Sequence, residues 1–375
     1  MAMKRGLWIA VGIVIVVIIL AVLFSTVWKP KQEEVIKIGA VLPLSGEAAS
    51  WGENGLAGME LAVKEINEAG GVNGRTIKLI AEDSKCSADS VSAIQKLVNI
   101  DKVDMIVGFV CSAAAGPALP ITTDNNIPVI IIAASAPYLP TIGQNIFRIY
   151  PSDDAQGKFV ADFIYNKLGK KKAALIYVKN DWGEGLQNTF TTRFEELDGE
   201  ITYSSGVLQT ETDFRTEISK IKDSNVDVLY FPVYPKNAVS ALKQMKEMDL
   251  NITVIGGDIL GGDEVVKSGY ANGLIYTIGK IDLPDDFKVR IKSLSGFENL
   301  SINILAPLGY DSVKIITLVV QSAGSIEKQA VIDALSKLTY NGISNPNIEF
   351  DENGNLKTPV FEVMIVKNNE AVPYE

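Results

Sequence analysis

Residues 104–120 read "DMIVGFVCSAAAGPALP". Met105, Ile106, Val107, Phe109 and Val110 form an apolar run too short and too β-branched for a helix, so it reads as a buried strand. Cys111, Ser112 and a string of tiny residues follow, and a short helix comes after them. Small residues at a strand end let a ligand approach the backbone closely. A helix starting there turns its unpaired N–H groups outward, where they attract anions. Two readings follow for Ser112: a donor to a carboxylate, or only the N-cap of the next helix.

The same unit recurs on both sides. Upstream, "VIKIGAVLPLS" reads as a strand and "GLAGMELAVKEINEAG" as a helix, with Leu56, Met59, Val63 and Ile66 at helical spacing. "TIKLIAEDS" is a second strand and "ADSVSAIQKLVN" a second helix. Downstream comes the strand "IPVIIIAA", and after "NIFRIYPSD" the alternation starts again. Helices are expected over 155–168, 185–197, 214–222 and 238–248, between strands "KAALIYVK", "EITYSSGVL", "VDVLYFPVY" and "ITVIGGD". Apolar strands alternating with amphipathic helices predict parallel sheets covered on both faces. The expected fold class is therefore α/β, with two Rossmann-like doubly wound lobes joined near Ile149–Pro151. The tail adds "LIYTIGK", helices over 307–323 and 326–338, and hairpin turns at Asp351–Asn355 and Asn368–Asn369. It is too small for a third domain, so it is expected to complete both lobes by crossing between them more than once. The expected division is 35–149 plus 282–356 for one lobe and 150–281 plus 357–375 for the other, with 1–34 outside both.

Of 375 residues, 45 are acidic and 35 basic, giving a net charge of −10 with no histidine at all. The soluble part has no basic run, which argues against a nucleic-acid partner. The missing histidine removes the usual general base, the HExxH zinc site and every Ser-His-Asp arrangement. Neither an enzyme, nor a metal site, nor a cofactor is expected. "GENGLAG" spaces its glycines as GxxGxxG and not as the GxGxxG of a dinucleotide loop.

Lys4 and Arg5 precede an uncharged run from Gly6 to Trp28. A secretory core of about 7–15 residues is shorter, whereas a spanning helix takes about 20. With positive charge kept inside, the expectation is an N-terminal transmembrane anchor with the body extracytoplasmic. A long signal peptide, cut to release a secreted or periplasmic body, is the alternative. In an exported chain the two cysteines, Cys86 and Cys111, are most simply one disulfide. A pair of buried free thiols is the other possibility.

Open α/β sheets bind ligands beyond the carboxyl ends of their strands. Here those ends read "PLSGEAASWG", "VCSAAAG", "AASAPYLP", "KNDWGEG", "PVYPK" and "GGDILGG". From Val35 onward the chain resembles the leucine/isoleucine/valine-binding proteins, the type I periplasmic binding proteins of branched-chain amino acid ABC transporters. The opening through "INEAGGVNG", then "GFVCS", "AASAP", "DWGEG" and "FDENGN", fall in that family's order. The resemblance implies two lobes linked by three crossovers, with Cys86 and Cys111 matching the family's paired cysteines. It puts Ser112 where a hydroxyl and N–H hold the ligand carboxylate. Ala133 and Ser135 fall where a backbone carbonyl and a hydroxyl meet the ammonium and carboxylate. Asp258 stands where a glutamate usually balances the ammonium, one methylene shorter. Trp51, Trp182 and Tyr234 match positions that wall the cleft. The implied function is an extracytoplasmic solute-binding protein delivering an amino acid, branched-chain or similar, to an ABC permease. A sensor of amino acids or amides that reports to a signalling partner is the alternative.

Overall fold

The computed structural model describes residues 35–281 and 283–375. The expected membrane span over Gly6–Trp28 lies outside the described residues; among those, no helix is long and apolar enough to cross a membrane. The strands, in chain order, are β1 (Ile36–Leu42), β2 (Ile77–Asp83), β3 (Met105–Gly108), β4 (Val129–Ile131), β5 (Ile146–Arg148), β6 (Lys172–Val178) and β7 (Glu200–Val207). They continue with β8 (Val228–Phe231), β9 (Thr253–Gly256), β10 (Ile275–Gly279), β11 (Thr339–Tyr340), β12 (Ile348–Glu349), β13 (Phe361–Lys367) and β14 (Glu370–Pro373).

Two sheets dominate. The first is five-stranded and wholly parallel, in the order β2-β1-β3-β4-β5. The second has seven strands in the order β14-β13-β10-β9-β8-β6-β7. Its β6–β10 strands are parallel, whereas β13 and β14 run antiparallel and close one edge. Asn368 and Asn369, both at positive φ, make the hairpin turn between them. That hairpin turn is as expected, whereas β13 departs from the parallel expectation by pairing antiparallel with β10, since the chain re-enters the second sheet from the first body and not through a crossover helix of its own.

The tail first serves the other body. Phe287, Ile291, the helix Leu305–Ala323, Ile348, Phe350 and Leu356 share one apolar core with the first sheet. In that core Gly55 and Gly58 of the helix Ala49–Glu68 meet the helix Leu305–Ala323. A Cβ on Gly58 would run into the Ala306 carbonyl, and one on Gly309 into the Gly55 carbonyl. The glycine spacing of "GENGLAG" is thus a close helix–helix seam. A separate core joins β6–β10 to Trp182, Leu186, Phe190, Phe194 and Val366.

The chain passes between the bodies beside one point. Gly279 faces Pro151 and Tyr150 so closely that a Cβ there would lie 3.2 Å from both. It also pairs with Phe361, and the Lys280 N–H donates to the Val360 carbonyl at 2.8 Å. Three crossing segments thus lie side by side. Helix boundaries differ from expectation where caps decide them. The expected 155–168 helix starts at Asp153, capped by Ser152, and beyond Asp162 it widens into a π turn over Phe163–Lys167. The helix expected from Gly185 begins instead at Asp181, capped by Asn180. A helix over Asp285–Lys292 has no counterpart among the expected elements.

Candidate ligand-binding cleft

β3 ends in strained backbone. Phe109 has φ 57°, a left-handed conformation that costs a bulky residue on the order of 1–3 kcal/mol. The chain then turns through Cys111, which forms a disulfide with Cys86 across 25 residues with Cα atoms 5.3 Å apart. Cys111 is the N-cap residue of the helix Ser112–Asp124, so the N-cap reading of Ser112 fails by one position. Ser112 is 4 % exposed, and its Oγ accepts the N–H groups of Ser135 (3.2 Å) and Ala136 (3.1 Å). Two donors fix that oxygen, and the hydroxyl proton is left to be donated onward.

Ser135 and Ala133 lie just past β4; Ser135 is buried and Ala133 half-buried. The Ser135 carbonyl accepts the N–H of Asp153 at 2.9 Å. Asp153 opens the helix Asp153–Asp162, which packs on the second sheet through Gln156 Nε2, a donor to Thr277 at 3.0 Å. Ser112, Ser135 and Asp153 therefore form one path from the first body to the second.

Asp258 follows Gly257 at the end of β9 and is half-buried. It accepts the Tyr150 hydroxyl at 2.8 Å and the Ile259 N–H at 3.0 Å. Burial pushes its carboxyl above the usual range, while these two donors pull the other way. Tyr150 is itself buried at the first crossover, and burial followed by Asp258 raises its hydroxyl well above 10.0. The acid is thus bonded to the segment about which the bodies are joined.

The aromatic residues gather at the same place. Trp182 and Tyr234 hold ring centroids 5.6 Å apart, and the Trp182 indole lies against Gly257. The Tyr234 hydroxyl accepts Asn180 Nδ2 at 3.2 Å. Trp51, half-buried on the helix Ala49–Glu68, packs against both cores. Two contacts bridge the bodies at the rim: the Tyr138 hydroxyl donates to Asp181 Oδ2 at 2.6 Å, and Lys236 pairs with Glu47.

Three groups escape a reading of the sequence. Asp153 is fully buried, and desolvation pushes its carboxyl well above the usual range; the neighbouring Ser135 hydroxyl pulls it down, Asp258 pushes it up and Arg148 lowers it. Arg148 is fully buried too. Its Nη atoms donate to the carbonyls of Ala136 (2.8 Å) and Ala134 (3.3 Å) and to Asn355 Oδ1. Desolvation lowers it to about 10. Tyr230 on β8 has a buried hydroxyl with no partner. The available signal is "FRIYPSDD", where an arginine interrupts an apolar strand.

A sequence profile described as "Periplasmic binding protein" matches residues 35–370. The chain belongs to the periplasmic binding protein family. A Pseudomonas aeruginosa leucine-, isoleucine-, valine-, threonine- and alanine-binding protein is 29% identical over 341 residues, covering 88% of this chain and 89% of that protein. Among solved structures, a branched-chain amino acid transporter substrate-binding protein from Streptococcus pneumoniae, in complex with isoleucine, has a TM-score of 0.78 at 26% identity. The match covers 91% of this chain and 100% of that one. A leucine-binding protein from Thermotoga maritima shares the fold with a TM-score of 0.81 at 24% identity, covering 91% and 98%. A solute-binding protein from R. palustris in complex with benzoate also shares the fold, at 22% identity and a TM-score of 0.78, covering 90% and 95%. The resemblance to leucine/isoleucine/valine-binding proteins is borne out, and with it a solute-binding role.

Proposed function

We propose that this periplasmic binding protein captures an amino acid, branched-chain or similarly aliphatic, between its two bodies and delivers it to an ABC permease. The reading is supported by Ser112 bonded to the Ser135 N–H in the first body, by Asp258 bonded through Tyr150 to the first crossing segment, and by Trp182 packed on Gly257 beside Asp258. An α-amino acid places opposite charges on neighbouring atoms, so it needs donors on one side and an acid on the other. Ser112, with its free hydroxyl proton at a helix start, and Ser135 supply the first side. Asp258 and the Ala133 carbonyl supply the second. Charge-assisted bonds of this kind contribute roughly 1.5–3 kcal/mol each, and the aromatic walls strengthen them by excluding water.

Closure brings together residues 35–149 plus 282–356 and residues 150–281 plus 357–375, turning about the three adjacent crossing segments. The uncharged run Gly6–Trp28 supports a tether that keeps the receptor close to its permease. Isothermal titration of the full chain in detergent micelles against the common amino acids, urea, short amides and benzoate tests the reading. Heat is expected from aliphatic amino acids and none from benzoate. Silence across every amino acid overturns it. Asp258→Ala is expected to weaken zwitterions far more than neutral amides, and equal losses would remove Asp258 from its role.

A further inference from the structure

Arg148 is the largest fully buried side chain among the described residues. Its guanidinium is given over to uncharged acceptors. Nη1 donates to the carbonyls of Ala136 at 2.8 Å and Ala134 at 3.3 Å, and Nη2 to Asn355 Oδ1. Nε is buried without a partner. Taking a cation out of water to meet neutral oxygens is costly, and an apolar side chain would fill the same space. What it holds together explains its presence. Ala134 and Ala136 flank Ser135. The rest of that tripeptide is pinned as well: the Ala134 N–H donates to the Phe109 carbonyl at 2.9 Å, and the next two N–H groups donate to Ser112 Oγ. At the other end, Asn355 closes the turn that starts at Asp351, whose Oδ1 accepts its N–H at 2.8 Å, and Leu356 then enters the first core. The Arg148 N–H donates to the Gly354 carbonyl at 2.8 Å, which makes a one-rung parallel bridge between β5 and Asn355. A Cβ on Gly354 would lie 2.2 Å from the Ile146 carbonyl, so this turn sits hard against β5.

Arg148 stands two residues before Tyr150 of the first crossing segment, and Asn355 five before Val360 of the third. One guanidinium thus joins the loop Ala133–Ala136 to the roots of two crossing segments. We propose that Arg148 is a positioning residue for the ligand: it orients the loop that carries Ala133 and Ser135, and it makes that orientation depend on how the third crossing segment is seated. The inference rests on the amino-acid reading above, in which that loop meets the ligand. Nη1 takes the carbonyls on either side of Ser135, which leaves the Ser135 hydroxyl and the Ala133 carbonyl as the loop's contribution to the cleft. Nη2 on Asn355 keeps the planar fork from turning away. Lysine has a single nitrogen and no fork, so it cannot serve both ends. Without Asn355 the guanidinium keeps its two carbonyls but loses its direction, and the work of ordering the loop is then subtracted from binding.

The test is isothermal titration of full-chain variants in detergent micelles with L-isoleucine, each variant also being melted without ligand. Asn355 lies outside the residues assigned to the ligand, yet Asn355→Ala is expected to weaken isoleucine about tenfold. Arg148→Lys should weaken it at least as much. Asn67→Ala is the control. The Asn67 amide bonds both the N–H and the carbonyl of Ile77, about 24 Å along the helix Ala49–Glu68 from Trp51. It should melt lower, as Asn355→Ala does, and bind isoleucine as tightly as the parent. Parent-like affinity in Asn355→Ala, or a loss matched by Asn67→Ala, reduces Arg148 to a structural role and overturns this inference alone. Absence of binding by the parent to any amino acid overturns the amino-acid reading, and this inference falls with it. Should neither Asn355→Ala nor Arg148→Lys fold, hydrogen exchange of the parent chain decides. Peptides spanning 133–137 and 352–358 are expected to open together as urea rises, and separate opening overturns the coupling.

Discussion

Replacing Tyr138 by phenylalanine removes one hydroxyl and keeps the ring. That hydroxyl donates to Asp181 Oδ2 at 2.6 Å, and the residues that follow the two, Leu139 and Trp182, lie in separate cores. Burial and then Asp181 raise the Tyr138 hydroxyl far above 10.0, so it stays a donor throughout the working pH range. A sheltered hydrogen bond to a charge contributes roughly 1.5–3 kcal/mol, and an exposed charged contact only about 0.2–1. Tyr138 is 41 % exposed and Asp181 lies in solvent, which places this bond near about 1 kcal/mol. The partners meet only when the bodies are together, so the whole loss falls on the closed state. About 1 kcal/mol is roughly a fivefold change in a two-state ratio. Tyr138→Phe is therefore expected to release isoleucine about fivefold faster with little change in association, since interface changes act mostly on departure. Stopped-flow fluorescence reads this directly, because on the proposed reading Trp51 and Trp182 wall the cleft. Asp181→Asn should give a smaller effect, and the double variant no more than the larger single one. An unchanged release rate, or a loss confined to association, would refute a closing latch here.

Ser112→Ala leaves the Ser135 and Ala136 amides without their acceptor. It should cost about 1–3 kcal/mol, seen as a lower melting temperature even without ligand; an unchanged melt would show that another group satisfies them. Reducing the Cys86–Cys111 disulfide frees a 25-residue loop and should cost about 3 kcal/mol by chain entropy, lowering the urea midpoint under dithiothreitol. Burial pushes Glu65 upward, but Tyr310, Arg290 and Lys314 together hold it below 4.5. Its depressed value means that its stabilisation is present above about pH 4.5 and lost as pH falls through the folded-state value. Glu65→Gln should accordingly flatten the acid limb of melting temperature against pH, and a parallel limb would refute the assignment.

The two sheets were legible because every apolar strand alternates with a helix, a pattern that local sequence carries in full. The proposed rim rests on a similar signal: small polar residues at strand ends mark where a ligand would approach. Partnership was not legible. Tyr150 and Asp258 are 108 residues apart, and Arg148 and Asn355 are 207 apart. Asp153 reads locally as the first residue of a capped helix, which it is. Its burial depends on Gly185, Ser135 and Arg148 converging on it from other segments. The β13–β14 hairpin was legible in Asn368–Asn369, but the antiparallel pairing of β13 with β10 was not, because β13 alone cannot reveal its neighbour. "GENGLAG" resisted interpretation until the opposing Gly309 was known.

The contact between Tyr150 and Asp258 also links recognition to motion on the proposed reading. Tyr150 lies on the first crossing segment, pressed against Gly279 of the second, which in turn pairs with Phe361 of the third. An ammonium drawn to Asp258 changes the charge seen by a hydroxyl fixed in that bundle, so occupancy is felt where the bodies turn and not only where they touch. A ligand can shift closure only by as much as it prefers one state. On that reading Asp258 lies in the second body, whereas Ser112, Ser135 and Ala133 lie in the first. A carboxylate alone therefore engages only the first body and gains nothing from closing. The ammonium of a zwitterion adds Asp258, and its preference for the closed state follows from that bridging.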